Sequence, residues 1–408
     1  MPFILLSAGK CVPLQAVKRV LNLLGGLMLS FLACVHLCAQ EAKSGSVAYY
    51  DSVEVSLLTC SPHEEVYSLY GHTALRWHDL HTKADLAFNW GVFDFRRPYF
   101  VARFVLGLTD YELGVVELEP FVDYYRHWGS MITEQVLNLT PTEKLRLERL
   151  LAENYNPANR IYRYNFFYDN CSTRPRDILE RCLDGRIIYE PRRDYQPTFR
   201  QMVRQKTANH PWATFGNDML LGVLADLKTK NREQEFLPEN LLYDFDHATI
   251  LGNDGSRRQL VQKRRIALSG GVQVIEPDFL VSPTEVASMI LVVVGLLTVG
   301  EFKRKRTYKY VDIVLMMFYG LVGCLLSVML FSQHPTTSTN LQLVLINPVH
   351  LWYLPSVLRR RSSRYWWLLL AMIVVYLVLA TVQQYPEGML ILALCLLLRV
   401  WSNLKNEK

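Results

Sequence analysis

Apolar and polar residues alternate from Val53 to Leu58, the two-residue period of a strand, and the pattern stops at Cys60-Ser61-Pro62. A second strand is expected from Gly71 through Trp77, and a third from Asp85 to Trp90 that enters Gly91-Val92-Phe93-Asp94-Phe95. Thr140-Pro141-Thr142-Glu143 then opens a helix: threonine caps it, proline fits the first turn, and Glu143 closes a capping box. Leu145, Leu147, Leu150 and Leu151 fill the buried side of that helix. The stretch from Tyr162 to Tyr168 is aromatic and is predicted extended, with a turn at Asp169-Asn170. From Ser172 to Cys182 the spacing is helical, with Ile178 and Leu179 inward and Pro175 in the first turn.

After Pro283 the pattern changes to long apolar runs, at about 286–299, 311–331, 341–357, 365–382 and 388–401. They predict about five spans of a bilayer whose apolar core is about 30 Å thick, the first and last short and therefore tilted or re-entrant. Lys303-Arg304-Lys305-Arg306, Arg359-Arg360-Arg361 with Arg364, and Lys405 with Lys408 follow the first, third and fifth runs. The alternate knots, 333–340 and 383–387, hold no lysine or arginine. By the positive-inside rule the basic knots face the cytoplasm and the preceding domain faces the far side. The N-terminus agrees. Lys10, Lys18 and Arg19 precede the apolar run Val20 to Leu37, with small residues at Ala33 and Ala39, as in a secretory signal. Cleavage after Ala39 competes with retention as an anchor, because Leu37 fits the cleavage site poorly.

The chain therefore divides into an export segment at 1–40, an extracytoplasmic domain at 41–282 and a transmembrane bundle at 283–408. It is expected in the inner membrane. The net charge of +6 is modest, and its basic residues lie at the ends of apolar runs, which argues against nucleic-acid binding. No Gly-rich phosphate loop, CxxC pair or HExxH helix is present, so neither a cofactor nor a metal is expected. His63, His72, His78 and His81 match no metal-ligand spacing. Five spans exceed what tethering needs. The loop from Ser332 to Asn340 places His334 and several hydroxyls at the outer membrane surface, while Asn347-Pro348 and His350 interrupt the third run. Each of these polar residues has a helix-capping or packing role as its competing reading. The aromatic stretch Tyr99 to Phe104 is a candidate for headgroup contact, against a plain core helix or strand.

Of eight cysteines, only Cys60, Cys171 and Cys182 fall in the extracytoplasmic domain. An odd number leaves at least one thiol free, with a Cys60–Cys182 bridge as a candidate. Cys171 follows a turn and precedes a helix, where backbone dipoles favour a thiolate and free N–H groups can hold an oxyanion. The competing reading is a buried cysteine at a core helix. His72 and Asn89, on neighbouring strands, can supply a base and its orienting partner, with Asp94 and Asp79 as rivals for the second role.

The blocks Cys60-Ser61-Pro62, Glu65-Val66-Tyr67-Ser68, Gly71-His72-Thr73-Ala74-Leu75-Arg76, Phe88 to Phe95 and Asp169-Asn170-Cys171-Ser172-Thr173-Arg174 resemble the Lnb-type lipoprotein N-acyltransferases. So do Pro211-Trp212, Phe215-Gly216, Asp218 to Gly222, Leu237-Pro238 and the bundle with its His334-Pro335 and Asn340 loop. The resemblance implies a cysteine enzyme that acylates the amine of a diacylglyceryl-cysteine, the acyl chain coming from a membrane phospholipid. It implies Cys171 as nucleophile, His72 as base and Asn89 as orienting residue, with Arg174, His334 and Asn340 at the substrates. Histidine before cysteine also resembles permuted papain-like α+β folds, including lecithin–retinol acyltransferase relatives. Two alternatives remain open: a papain-like hydrolase of cell-wall peptides or lipid esters, and a non-enzymatic membrane assembly factor.

Overall fold

The computed structural model describes residues 47–93, 98–192, 194–272, 279–359 and 363–406. The export segment at 1–40 and the rival Asp94 lie outside them.

Seven strands form one antiparallel sheet: β1 (Val53–Cys60), β2 (His72–Asp79), β3 (Asp85–Val92), β4 (Asp110–Glu117), β5 (Ile132–Leu137), β6 (Ile161–Arg163) and β10 (Val261–Leu268), in the order β10-β5-β1-β2-β3-β4-β6. A smaller sheet joins β7 (Gly185–Ile188), β8 (Thr249–Gly252) and β9 (Arg257–Gln259). The alternation in β1 is explained by cover on both faces. Val53, Val55 and Leu57 pack with Leu147, Leu151, Ile178, Leu179 and Cys182, while Leu58 and Cys60 pack with Ala74, Phe121 and Tyr125. Cys60 and Cys182 therefore belong to opposite sides of the strand, and the bridge considered between them does not form. Cys60, Cys171 and Cys182 are all free.

The capping box at Thr140 is present, with Thr140 N–H donating to Glu143 at 2.8 Å. The stretch from Tyr162 to Tyr168 is extended at its start, in β6, and departs from that path from Asn165. Asn165 Oδ1 accepts the N–H groups of Phe167 and Tyr168, each at 3.2 Å, and the chain doubles back so that Asn165 pairs with Asp169.

In the bundle, helices Pro283–Arg304, Lys309–Met329 and Met389–Asn406 and the segment Leu341–Leu358 are long and apolar enough to cross a bilayer, and Ser363–Leu379 is a shorter apolar helix of 17 residues. Asn347-Pro348 breaks the third segment into the 3-10 turn Leu341–Val344 and the helix Val349–Leu358. The first and last runs are longer than hydropathy suggests, 22 and 18 residues. Glu301 and Arg399, the charges that end the apolar patterns, lie inside the bundle and pair with each other at 2.8 Å. Asp312 takes Arg399 Nε at 2.7 Å, and Asn403 donates to Asp312 at 3.1 Å. A buried charge is tolerable in lipid only when so compensated.

Both lysine-free loops reach the sheet domain. Gly222 N–H donates to Thr336 O and Val223 N–H to Thr339 O, each at 2.8 Å. Gln383 Nε2 donates to Leu221 O at 3.2 Å, and Arg204 to Gln384 Oε1 at 2.6 Å. Helix Pro211–Leu220 inserts Phe215, Met219 and Leu220 against the bundle core. The described residues of the basic knots, 303–306, 359, 364 and 405, thus lie at the opposite end, as the charge pattern predicts. A second contact joins Gln333 N–H to Leu106 O at 2.9 Å. It ties the helix Phe100–Val105, which exposes Phe104 and is preceded by exposed Tyr99, to the loop of the bundle.

Candidate active site

β2 starts at His72 because the chain turns sharply at Gly71. There φ is +76° and a Cβ would lie 2.9 Å from Cys60 O, so only glycine serves. On β3 the pairing with β4 slips between Trp90 and Val92, and Gly91 occupies that bulge at φ +98°. A side chain at Gly91 would face Cys171 Cβ at 3.8 Å, so the bulge brings β3 directly beside the cysteine.

Asn170 fixes the cysteine from the other side. Its Nδ2 donates to Phe166 O and Phe236 O, both at 2.9 Å, and its Oδ1 accepts Ser172 N–H at 2.9 Å and Thr173 N–H at 3.0 Å. These are the first amides of the Thr173–Cys182 helix. The helix-start donors expected to hold an oxyanion are therefore already occupied, a correction that follows from asparagine being the local cap. Arg174 forms a bidentate pair with Asp169, at 2.6 and 2.7 Å, and its guanidinium lies 3.5 Å from the centre of the Tyr162 ring. It lines a polar cleft of about 560 Å³ with Trp90, Asn154 and Arg181.

His72 Nε2 is 2.6 Å from Asn89 Oδ1. An amide oxygen only accepts, so Nε2 carries the proton and Nδ1 is left for the Cys171 sulfur, with which His72 hydrogen-bonds. Tyr125 stacks on the imidazole, centroids 6.5 Å apart and planes 18° apart. Burial pushes the Cys171 thiol up, but the charge and hydrogen bond of His72, the Thr73 N–H and the Ser172 hydroxyl outweigh it and hold the thiol below its ordinary value. Burial likewise presses His72 down, and the Cys171 charge and Asn89 overcome it, so the imidazole is raised. The two shifts agree: the pair favours thiolate and imidazolium.

Ser172 Oγ is 2.9 Å from Thr73 Oγ1, both residues fully buried. Since Ser172 donates to the sulfur, the Thr73 hydroxyl donates to Ser172, and two hydroxyls in series support the thiolate. Ser172→Ala should raise the midpoint of Cys171 alkylation by about 0.5–1 pH unit, the size of one net hydrogen bond. Iodoacetamide labelling across pH, read on the Cys171 peptide, measures it; Ser172→Thr should restore the parent midpoint, and an unmoved midpoint in the alanine variant would refute the role.

The structure brings Cys171, His72 and Asn89 together. Asp79 lies at the far end of β2, where it accepts His81 N–H at 2.8 Å and the Tyr49 hydroxyl. His334 and Asn340 are placed elsewhere. His334 Nε2 meets Phe104 O at 3.0 Å, and buried Asn340 donates to Met219 O at 2.8 Å while its oxygen accepts Gln383 Nε2 at 3.0 Å. Both join the bundle to the sheet domain. The histidines do not gather either. His63 is stacked on Trp128 at 4.7 Å, and burial with the nearby His72 charge lowers it to about 4, so it is neutral. Thr73, Gly91, Tyr125 and Asn170 were missed as site residues. Only Asn170, a capping type directly before the cysteine, carried a signal in the sequence.

Residues 44–205 match the family model of the Lnb N-terminal periplasmic domain, and residues 275–408 match that of the Lnb transmembrane domain. The chain belongs to the Lnb family. It is a multi-pass membrane protein whose sheet domain is periplasmic, and Cys171, His72 and Asn89 all fall within the Lnb periplasmic match. No curated protein and no solved structure matches the chain.

Proposed function

We propose that this Lnb-family protein is a cysteine acyltransferase that N-acylates the diacylglyceryl-cysteine of lipoproteins, using a phospholipid acyl chain carried as a thioester on Cys171. The observation that carries the reading is a thiol–imidazole–amide array tied directly to a helix that packs against the transmembrane bundle. Tyr70, two residues before His72, accepts a hydrogen bond from Asn217 Nδ2 at 3.0 Å, and Asn217 belongs to the helix that inserts into the bundle. A cysteine just before a helix start, against an antiparallel sheet, with its histidine earlier in the chain, supports the permuted papain-like reading.

In the first half-reaction the Cys171 thiolate attacks an ester carbonyl. The C–O bond breaks, and His72 gives its proton to the departing lysophospholipid oxygen. With the Ser172 and Thr173 amides occupied, the Cys171 N–H is the proposed oxyanion donor. In the second half-reaction the lipoprotein amine attacks the thioester, His72 takes its proton, and the thiolate leaves as the amide forms. A thioester suits an amine acceptor provided that water is kept away in the interval. The anchored acyl chains of both substrates come from the membrane on which the domain is clamped, which a hydrolase of cell-wall peptides has no need for.

The test is a brief exposure of the full-length protein in detergent to labelled phospholipid, followed by acid quench and peptide mapping. One fatty acyl mass on Cys171, passing to the amine when a diacyl lipopeptide is added, supports the proposal. Free fatty acid without amide product would make the protein a hydrolase. Folded protein with neither product would favour an assembly factor.

A further inference from the structure

The Cys171 chemistry leaves one feature of the bundle unused. On one face of Met389–Asn406, Leu394, Leu397, Leu398, Trp401 and Lys405 recur at three- and four-residue spacing and floor a groove of about 840 Å³. Leu291 of Pro283–Arg304 and Trp367 and Leu370 of Ser363–Leu379 form its walls. The groove starts near mid-membrane and runs to the cytoplasmic end, the end away from the loops that hold the periplasmic domain.

Its lining is apolar throughout, except at the mouth. There Lys405 is exposed and is the cation of the lining, while Arg304, which ends Pro283–Arg304, and Arg364, near the start of Ser363–Leu379, are exposed but lie outside it. The positive-inside rule accounts for basic residues at this end, Lys405 included, but not for the place of that ammonium in the lining of an apolar groove. Lys405 Nζ lies 4.8 Å from the Phe302 ring centre and 5.7 Å from that of Trp401, so two aromatic faces hold the ammonium beside the mouth. Among the described residues, the bundle carboxylates Glu301 and Asp312 are buried on Arg399 rather than paired with Lys405. Apolar length with a cationic end is the complement of a lipid bearing a negative headgroup.

We propose that this groove binds one anionic phospholipid of the cytoplasmic leaflet, an acyl chain lying along Leu394, Leu397 and Leu398 and the phosphate at Lys405. A helix from a second copy of the chain would fill the apolar part but bring no anion to the mouth. The groove opens to the leaflet opposite Cys171, so its occupant is distinct from the acyl donor, and the inference stands or falls independently of the acyl-transfer reading.

The full-length protein, equilibrated with equal amounts of phosphatidylglycerol and phosphatidylcholine of matched chains in neutral detergent, tests it by native mass spectrometry. One retained lipid is expected, with phosphatidylglycerol favoured about fivefold per engaged cation. Lys405→Gln should reduce that preference by about fivefold, and Leu398→Trp, which fills the groove, should reduce retention of both lipids. Equal retention of the two lipids would overturn the proposal. So would a preference indifferent to Lys405→Gln, or a dimer that occupies the face instead.

Discussion

Cys171→Ala should leave lipoproteins without their amide-linked chain while the protein inserts and folds as before. The residue is half-buried and its loss opens little space, so the stability change should stay within about 1 kcal/mol. The nucleophile is the one part of the proposed reaction that no neighbour replaces, and losses of about 10⁴-fold or more follow its removal in enzymes of this kind. Mass spectrometry of lipoproteins from cells carrying only the variant reads the outcome. Normal triacylated product at a normal rate would end the thioester mechanism.

His72→Ala should cost about 10²–10⁴-fold in transfer, the usual range for a removed acid–base group. It also has a signature that a merely structural defect lacks. Without the imidazolium, burial is opposed only by the Thr73 N–H and the Ser172 hydroxyl, so Cys171 alkylation at neutral pH should slow and its midpoint should climb. In the parent protein, activity should rise as pH climbs through the Cys171 value, which lies below the ordinary 9.0 of a thiol. It should fall again as pH passes the His72 value, which lies above the ordinary 6.5. A variant with an unchanged alkylation midpoint would show that the pair is not coupled. Asn89→Ala should give a smaller loss, because the stacked Tyr125 still restrains the ring.

Local pattern disclosed what local forces determine. The strands at 53, 72 and 85, the Thr140 capping box and the turn before Cys171 all follow from side-chain periodicity and capping chemistry. His72 and Asn89 were legible for the same reason, since neighbouring antiparallel strands bring residues of fixed spacing together. What the sequence hid depends on partners distant in the chain. β10 joins β5 across more than a hundred residues, and nothing near Val261 announces it. Glu301 looked like the end of a span until Arg399 supplied its counter-charge. The occupied amides of Ser172 and Thr173 were invisible because a capping asparagine and a free helix start read alike until the side-chain direction is known.

Under the proposed acyl transfer, the double clamp between the lysine-free loops and residues 204–223 would decide which molecules are processed. It would hold the sulfur at a constant altitude above the lipid, like a tool post bolted to a lathe bed. A polypeptide still moored by its own diacylglycerol presents its first amine at one height, whereas an untethered peptide drifts past at any. Selection by elevation needs no reading of the amino acids that follow, so one such machine can finish clients of unrelated sequence.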